Sequence, residues 1–471
     1  MNMIQWGDAP IRWQEVACVA RGEATLSLSE SAWARIEQGR AIVQHIVSAG
    51  QVAYGINTGL GPLLEVAPTR AIMCAAVANF SHGKSGISAG IVRQLLTFLQ
   101  HGVTPQVPSQ GSVGYLTHMA HVGLALMGVG DVLWQGRTWS AAEVLSQLNL
   151  QPIAPGAKEG LSLVNGTPCM TGLACLALDD AERLMNWADV TGAMSFEALR
   201  GQLVAFDAEI LALKASPGIQ TSGQRLRELL ADSHLLAESE GLRTQDALSL
   251  RSMPQVHGAC RDQFSHAQTQ INIELNACTD NPLILGTLEQ WRVVSQAHPH
   301  GESVAMACDL LAIAMAELGT IAERRLDRLV NPLVSGLPAF LVARPGVNSG
   351  MMIAQYVAAS LCAENKQLAQ PAVLDNFVTS ALQEDHLSLG TSAALKLQRL
   401  LGNLYQILGI EYLLAAQGLD FHEPQKLAAG TRRARDLLRQ SVPTWEDDRW
   451  LAPDIANAVA ILKRNADHAP V

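Results

Sequence analysis

The chain has 471 residues, of which 48% are apolar, 16% charged and only 5% aromatic, and its formal net charge is −10. That length is enough to bury a large core, and the aromatic-poor composition is typical of long, closely packed helices rather than of a β-sandwich. The negative charge argues against a nucleic-acid partner, because such a partner requires a basic face. No linker-like or low-complexity tract divides the chain.

The N-terminal sequence and the cysteines indicate the compartment in which the protein works. The N-terminal stretch "MNMIQWGDAPIRW" lacks the basic-then-apolar pattern of a signal peptide, and the sequence predicts no membrane span, since no apolar run reaches about 18 residues. The eight cysteines include no C-x-x-C pair, which favours reduced, buried thiols. We therefore expect a cytoplasmic protein.

Helix signals dominate in chain order. Residues 29–50 begin with serines suited to an N-cap and end on a glycine, and apolar residues recur at helical spacing from Leu116 to Met127. Residues 301–330 and 350–370 are apolar almost all round, which predicts long helices covered on most sides. Polar Gly/Pro/Asn-rich connections lie between them. The predicted fold class is mainly α, a central bundle of long helices with polar active-site loops.

Several polar stretches stand out against this apolar background, including "AYGINTGLG", "LVNGTPCMTG", "RTQDALSLRSMPQVHGACRD", "ELNACTDNPLIL" and "QEDHLSLG". Taken singly, a Tyr or Asn in such a stretch is most often a core or turn residue, and an Arg most often forms a structural ion pair. His118 and His121 lie one helical turn apart, but no third metal ligand is identifiable beside them. We therefore expect no metal site.

Read together and in order, these stretches closely resemble the histidine and phenylalanine ammonia-lyase family, nearest to its histidine branch. The resemblance is carried by motifs such as "YGINTGLG", "SHGKSG", "KEGLSLVNGT", "QDALSLRSMPQVHGA", "NACTDNPL", "GVNSGMMIAQYVAASLCAENK" and "TSALQEDHLSLG" over roughly residues 20–430. It implies a mainly α ammonia-lyase fold of the fumarase/aspartase-like superfamily. It also implies a homotetramer whose active sites combine loops from three subunits.

The resemblance assigns a role to each matching position. Tyr54 resembles the base that removes a β-proton, and His82 resembles a histidine that contacts an imidazole side chain. Arg251 is suited to a bidentate contact with the substrate carboxylate. Glu384 resembles a glutamate near the imidazole or the leaving amine. Asn165 and Gln245, with Arg251, resemble the polar set around the amino-acid head of the substrate. The remaining substrate-binding candidates are Gln383, which lies beside Glu384, and His300, which matches a histidine of the family.

One departure from the family bears directly on the chemistry. These lyases build a methylidene-imidazolone electrophile from an internal Ala-Ser-Gly, and glycine permits the tight backbone approach that a β-branched residue resists. Here Ser112 is followed by Val113, and "GSVG" passes almost directly into "YLTHMAH". Leu248 and His298-Pro299 also replace a tyrosine and an Asn-Phe of the family pattern. We predict that the electrophile is absent and that no other cofactor is used.

Without that electrophile the substrate must supply its own activation. A trimethylammonium group departs as neutral trimethylamine, and a thioimidazole ring delocalises the carbanion left when Tyr54 takes the proton. The leading hypothesis is therefore an ergothionase-like 1,2-elimination that converts ergothioneine to thiourocanate and trimethylamine. Tyr115 is expected to face the methylated ammonium through a cation–π contact, and Lys84 to polarise a thione or a carboxylate.

Three alternatives stay open at the level of sequence. The chain is a histidine ammonia-lyase whose electrophile forms unconventionally from Gly111-Ser112-Val113, a non-catalytic homologue that binds a ligand or scaffolds a partner, or a lyase for another activated substrate.

We expect one lyase domain over residues 1–471. Its loop-rich part covers about 1–190 and carries Tyr54 and the altered 108–118 loop, its helical bundle covers about 191–430, and its helical tail covers about 431–471.

Overall fold

The structure, a computed structural model, describes residues 2–48, 63–374 and 376–464. It is mainly α, as the sequence predicts. The helices are α1 Trp13–Ala20, α2 Glu30–Ser48, α3 Val66–Ser81, α4 Ala89–His101, α5 Thr117–Leu126, α6 Ala141–Gln147, α7 Glu159–Val164, α8 Pro168–Ala198, α9 Ala208–Ala212, α10 Pro217–Leu229, α11 His234–Ala237, α12 Leu248–Arg251, α13 Met253–Leu275, α14 Glu302–Val330, α15 Pro332–Ser335, α16 Met352–Leu368, α17 Gly390–Leu419, α18 Ala429–Arg439 and α19 Ala452–Arg464. Short 3₁₀ turns cover Leu203–Phe206, Ala339–Leu341, Ser380–Leu382 and Pro424–Lys426.

The described strands form three small sheets. Strands β1 (Asn2–Trp6) and β2 (Ala24–Leu28) pair in parallel, with Trp6 opposite Leu28. Strands β3 (Thr104–Pro105), β4 (Asp131–Trp134) and β5 (Arg137–Ser140) form an antiparallel sheet in that order. Strands β6 (Leu283–Gly286) and β7 (Trp291–Val294) form an antiparallel hairpin.

The long helices begin where the sequence signals place them. Ahead of α2, the Ser29 hydroxyl accepts a hydrogen bond from the Ala32 amide at 3.3 Å, which satisfies one of the free N–H groups of the first turn. The predicted 301–330 helix is α14, and the predicted 350–370 helix is α16. The helix predicted from the apolar spacing at Leu116 to Met127 is α5.

Chain contacts divide the molecule into two compact units. The first unit contains residues 1–179, 267–309 and 371–398, and the second contains residues 180–266, 310–370 and 399–471. Four of the five boundaries fall inside α8, α13, α14 and α17, and the fifth follows the end of α16. The domain boundaries proposed from sequence, near residues 190 and 430, stay predictions.

Within the first unit, α3 and α8 approach each other closely at a glycine. A Cβ atom placed on Gly172 would lie 2.5 Å from the backbone carbon and oxygen of Ala71. Any larger residue at 172 would push the helices apart, since backbone cannot move aside as a side chain can. This contact matters for the site, because α3 ends directly before His82 and α8 begins directly after Asn165–Thr167.

Two helical stretches are long and apolar enough to meet a membrane-span criterion, Glu159–Ala198 and Glu302–Val330. The sequence reading, which found no such run, differs here because a few scattered polar residues interrupt both stretches. Most of each apolar stretch is buried inside the protein, and core helices of folded proteins meet the same criterion. The stretches are accordingly weak evidence for a membrane.

Candidate functional site

Three loops of the first unit meet at the N-terminal turn of α8, around the fully buried Met170. A Cβ atom on Gly301 would lie 2.2 Å from the Met170 Sδ, and one on Gly390 would lie 2.4 Å from it. A Cβ on Gly114 would lie 3.9 Å from the Met170 Cε. Gly114 belongs to the altered loop, Gly301 follows His300, and Gly390 follows the "QEDHLSLG" stretch. Their small size lets these three loops converge.

The altered loop is held in place by the start of α17. The Leu389 amide donates to the Val113 carbonyl at 3.1 Å, and the Thr391 hydroxyl donates to the Gly114 carbonyl at 3.2 Å. Inside the loop, the Ser112 hydroxyl donates to the Tyr115 carbonyl at 3.0 Å and accepts from the Gly114 amide at 3.2 Å. Ser112 is thus bound into the loop as a turn residue.

The residues at this loop do not fit the electrophile that the resemblance implies. Cyclisation needs the nitrogen after Ser112 to reach the carbonyl before it, and that nitrogen belongs to the β-branched Val113. The two glycines of the loop stand elsewhere, with φ of +100° at Gly111 and +152° at Gly114. The flexibility therefore lies on either side of the Ser112–Val113 pair and not within it.

The Tyr115 side chain lies close to the Glu384 carboxylate. Burial, and then the interaction with this carboxylate, raises the pKa of the Tyr115 hydroxyl, so it remains a proton donor over the ordinary pH range. Although partial burial acts to raise the pKa of the Glu384 carboxyl, hydrogen bonds from Thr379, Tyr115 and Ser380 bring it below its ordinary value. The Thr379 hydroxyl donates to Glu384 Oε2 at 2.6 Å. Glu384 is consequently an anion whose position is fixed by its donors.

His82 follows the last residue of α3 and is half-buried. Its Nε2 is buried and has no hydrogen-bond partner among the described residues. Burial, and then the nearby Arg35 and Lys84, lowers the pKa of the His82 ring, so the ring is neutral at pH 7. Lys84 is half-buried, and its carbonyl accepts from the Ile284 amide at 2.9 Å. A neutral imidazole with a free ring nitrogen can exchange a hydrogen bond with a ligand ring.

Asn165 lies between α7 and α8 and is 6% exposed. Its Nδ2 donates to the Asn281 carbonyl at 2.8 Å and to Asp280 Oδ1 at 3.2 Å. The Lys158 ammonium donates to the other oxygen of Asp280 at 2.7 Å. The Asn165 side chain is therefore held by the turn of the "NACTDNPL" stretch.

His300 and His386 form a second pair in this unit. His300 Nε2 lies 3.0 Å from His386 Nδ1, the rings stack with centroids 5.2 Å apart, and His300 Nδ1 lies 3.9 Å from Glu302 Oε2. One ligand atom from each of His300, Glu302 and His386 falls within 4.8 Å of the others, so these three side chains could hold a divalent cation.

His118 is buried, and burial lowers its ring pKa.

The remaining predicted residues lie beside Glu384, in the second unit or outside the described residues. Gln383 directly follows the 3₁₀ turn Ser380–Leu382, precedes Glu384 and is exposed. Gln245 and Arg251 belong to the second unit, where Gln245 is exposed and the Arg251 Nε donates to the Asp246 carbonyl at 2.9 Å. Leu248, which stands at a tyrosine position of the family pattern, is 63% exposed. Tyr54 lies outside the described residues.

Sequence reasoning missed several side chains that shape the site, namely Lys158, Asp280, Thr379, His386 and Met170. A signal existed for the charged ones, because Lys158 and Asp280 stand inside the quoted "KEGLSLVNGT" and "NACTDNPL" stretches, next to apolar runs. Charged residues in such surroundings must be paired. Their pairing with each other could not be seen from a single chain sequence.

Comparisons with known proteins agree on one family. The family model described as aromatic amino acid lyase matches residues 11–68 and 61–440. Histidine ammonia-lyase of Symbiobacterium thermophilum is 41% identical over 498 aligned positions, covering 99% of this chain and 97% of that protein. The crystal structure of histidine ammonia-lyase from Trypanosoma cruzi gives a TM-score of 0.91 at 36% identity, covering 99% of this chain and 94% of the other.

A third similar protein is named for a different reaction. The ergothionase of Treponema denticola, an ergothioneine-degrading enzyme solved in complex with desmethyl-ergothioneine sulfonic acid, gives a TM-score of 0.90 at 26% identity. The match covers 98% of this chain and 99% of that one. Histidine ammonia-lyases are thus nearer to this chain in sequence, while the fold is shared equally by both.

Proposed function

Because the chain belongs to the aromatic amino acid lyase family, we propose that it is a carbon–nitrogen lyase that removes the α-amino substituent of a histidine-type substrate by 1,2-elimination. The observation that supports an imidazole ring in the substrate is the neutral His82, whose buried Nε2 lacks a hydrogen-bond partner among the described residues. An imidazole ring is the ligand group whose N–H and bare nitrogen can satisfy it.

In the proposed reaction a base takes one proton from the substrate β-carbon, and the electron pair of that bond forms the carbon–carbon double bond. The bond from the α-carbon to nitrogen breaks, and nitrogen departs with its electron pair. Tyr54 is the proposed base, and Arg251 is proposed to hold the carboxylate. Glu384, with its lowered pKa, is proposed to contact the ring or the leaving amine, and Tyr115 to hold Glu384.

Histidine is the substrate that the relatives favour. Proteins about 40% identical to this chain over nearly its whole length carry the name histidine ammonia-lyase. The expected products are ammonia and urocanate. This assignment ranks ahead of ergothioneine, because the ergothionase is less similar in sequence.

A betaine substrate is the second candidate, and the Ser112–Val113 pair favours it. For this second candidate we propose that methylidene-imidazolone is absent from the chain, because Val113 stands where the cyclising residue should be glycine. The 498 positions aligned with the Symbiobacterium protein exceed the 471 residues of this chain, so that relative contains residues that this chain lacks. A trimethylammonium group needs no electrophile in order to leave, and the reaction would convert ergothioneine to thiourocanate and trimethylamine.

Two measurements test these proposals together. The wild-type protein incubated with histidine should produce a vinylic pair of doublets in the proton NMR spectrum, and Tyr54→Phe should lower the rate by about 10²–10⁴-fold, as expected for loss of a general base. Intact mass spectrometry separates the two candidates. A mass lower by two water molecules should accompany histidine ammonia-lyase activity and would support an electrophile formed from Gly111-Ser112-Val113, whereas a betaine lyase should have the mass of the unmodified chain.

A non-catalytic homologue is the outcome that would overturn the lyase proposal. Such a protein would bind a histidine-type ligand without releasing an olefin, and Tyr54→Phe would leave its behaviour unchanged.

We further propose a cytoplasmic homotetramer without metal, nucleic-acid or membrane partners. The exposed Met306, Leu310 and Ile313 on α14 support the assembly, because apolar residues spaced four and three apart form one uncovered stripe.

A further inference from the structure

A small polar cavity lies inside the first unit, between the end of α3 and the beginning of α8. It has room for one molecule about the size of water. Its polar lining consists of Asn79 from α3, Thr167 and Thr171 at the beginning of α8, and Glu274 and Thr279 at and after the end of α13. A guest in this cavity would therefore be surrounded by hydrogen-bonding side chains.

The cavity is built from two segments that also carry candidate substrate-binding residues. The Asn79 carbonyl accepts from the His82 amide at 3.4 Å, and Thr167 follows Asn165 by two positions. The Thr167 amide in turn donates to the Thr279 hydroxyl at 3.3 Å. The cavity therefore adjoins the proposed site.

The Asn79 amide presents hydrogens to the cavity. Its Oδ1 accepts from the Thr279 amide at 2.9 Å, which fixes the orientation of the group, because an amide nitrogen does not accept hydrogen bonds. Asn79 is 4% exposed, and its Nδ2 is buried without a hydrogen-bond partner among the described residues. A buried donor in this state is destabilising unless a guest accepts its hydrogen.

The threonines and the glutamate present oxygen lone pairs instead. The Thr167 hydroxyl donates to Glu274 Oε1 at 2.6 Å, and the Thr171 hydroxyl donates to Thr167 Oγ1 at 3.5 Å. Both hydroxyl hydrogens are thereby used, so these two threonines offer a guest only their lone pairs. Burial raises the pKa of the Glu274 carboxyl, against the Thr167 hydrogen bond and the nearby His298, and above that pKa the carboxylate only accepts. The lining then combines one donor group with several acceptors.

We propose that this cavity binds ammonia, the small base released by the proposed elimination. Nitrogen leaves the α-carbon with its electron pair, so ammonia has one lone pair to accept from Asn79 Nδ2 and three hydrogens to donate to the surrounding oxygens. Ammonium has no lone pair, and trimethylamine has no N–H group and exceeds the size of the cavity. The inference rests on the proposed function and narrows its leaving group to ammonia.

Thermal melting of the whole protein tests the proposal without requiring turnover. In alkaline buffer, where part of the added ammonium chloride is free ammonia, the salt should raise the melting temperature by about 1 °C or more above sodium chloride at equal ionic strength, since a ligand of the folded state stabilises it. Methylamine and trimethylamine at equal concentrations of free base should add nothing. The rise should disappear near pH 7, where almost all of the ammonia is protonated.

Two threonine variants give the matched comparison. Thr171→Val removes one acceptor while keeping the shape of the side chain, and it should weaken ammonia binding by about 3- to 10-fold, as expected for one lost hydrogen bond. Thr69 also lies on α3 and is fully buried, but it is outside the cavity lining and its hydroxyl has no partner among the described residues. Thr69→Val should therefore leave the ammonia response unchanged.

A third variant keeps the proposal testable if Thr171→Val does not fold. Asn79→Asp retains the oxygen that accepts from Thr279 and replaces the unpartnered donor by an acceptor. The altered cavity should then take the ammonium cation, so its melting temperature should respond to ammonium chloride near pH 7, where that of the wild-type protein does not.

The outcomes separate this inference from the proposed function. Equal responses to ammonium and sodium chloride would identify water as the only guest and overturn the inference, as would an undiminished response in Thr171→Val or an equal wild-type response near pH 7. The predicted ammonia response without olefin formation from histidine would support the binding site and overturn the lyase. Olefin formation from histidine without an ammonia response would support the lyase and overturn the inference.

Discussion

At the scale of single residues, the pair formed by Tyr115 and Glu384 links the altered loop to the region of the proposed leaving group. The raised pKa of Tyr115 makes it a donor rather than a base, so the proton-abstracting role stays with the proposed Tyr54. Glu384 in turn owes its lowered pKa to three hydrogen-bond donors that outweigh its partial burial. An insertion or deletion at residues 108–116 would therefore alter the acid–base chemistry of a residue far away in sequence.

Tyr115→Phe should shift the acid limb of the pH profile of kcat/KM to higher pH. The folded-state pKa of Glu384 is lowered, so its anion, and any stability it contributes, is present above its ordinary pKa and is lost as pH falls through the folded-state value. Removing the Tyr115 hydroxyl raises the folded-state pKa of Glu384, so the anion is lost at a higher pH. Tyr356→Phe, at a 59%-exposed position of α16, is the matched control and should leave the profile unchanged. An unmoved acid limb in Tyr115→Phe would contradict the role given to the pair.

The residue types of the site were largely predictable, but their contacts were not. Motif wording identified His82, Asn165 and Glu384, and the structure places all three in the same compact unit. The approach of Tyr115 to Glu384 was not predictable, because the two positions are far apart in sequence and their approach depends on how α17 begins. The cation–π contact expected of Tyr115 stays a prediction.

At the scale of elements, the close contact between α3 and α8 sets the spacing of the two candidate binding residues at their ends. Helix signals predicted α2, α14 and α16 to within a few residues. For α14 and α16 the reason is that an apolar all-round segment has few other ways to be buried. The long helices α8, α13 and α17 were not predicted individually. Helix signals could not predict which helices touch. The contact between Gly172 and Ala71 is one such helix–helix contact, and it cannot be predicted from a single sequence.

Gly172→Ala should destabilise the protein by about 1–3 kcal/mol, as expected of overpacking in a dense core, because the added Cβ would meet the backbone of Ala71 at 2.5 Å. It should also weaken histidine binding by moving His82 relative to Asn165. Gly402→Ala in α17 is the control, since a Cβ there meets nothing within 4 Å. Its expected effect is a gain of about 0.5–1 kcal/mol from helix propensity. Chemical denaturation would measure both, and equal effects would contradict the packing argument.

At the scale of the whole molecule, the exposed stripe on α14 is the strongest indication of assembly. Met306, Leu310 and Ile313 are 48%, 39% and 42% exposed, although the rest of that helix is mostly buried. Sequence reasoning anticipated that an all-round apolar helix would be covered on most sides. The single chain leaves this one face open, so the covering surface is expected to come from other copies of the chain.

Native mass spectrometry should find four copies of the chain. Leu310→Glu should shift the population to smaller species, since it places a charge in the centre of the stripe. Leu213→Glu, at an 89%-exposed leucine outside that helix, should leave the tetramer intact. A wild-type protein that is monomeric at micromolar concentration would contradict the proposed assembly and the shared active sites that the family resemblance implies.

The central claim is elimination from a histidine-type substrate, and one measurement tests it most directly. Purified protein is incubated with histidine, histidine trimethylbetaine and ergothioneine in one tube and followed by proton NMR. The account predicts vinylic doublets of urocanate with the betaines consumed more slowly, because relatives about 40% identical to this chain are named histidine ammonia-lyases. Thiourocanate with free trimethylamine as the main products would identify the second candidate instead. No olefin from any of the three compounds would contradict the lyase itself.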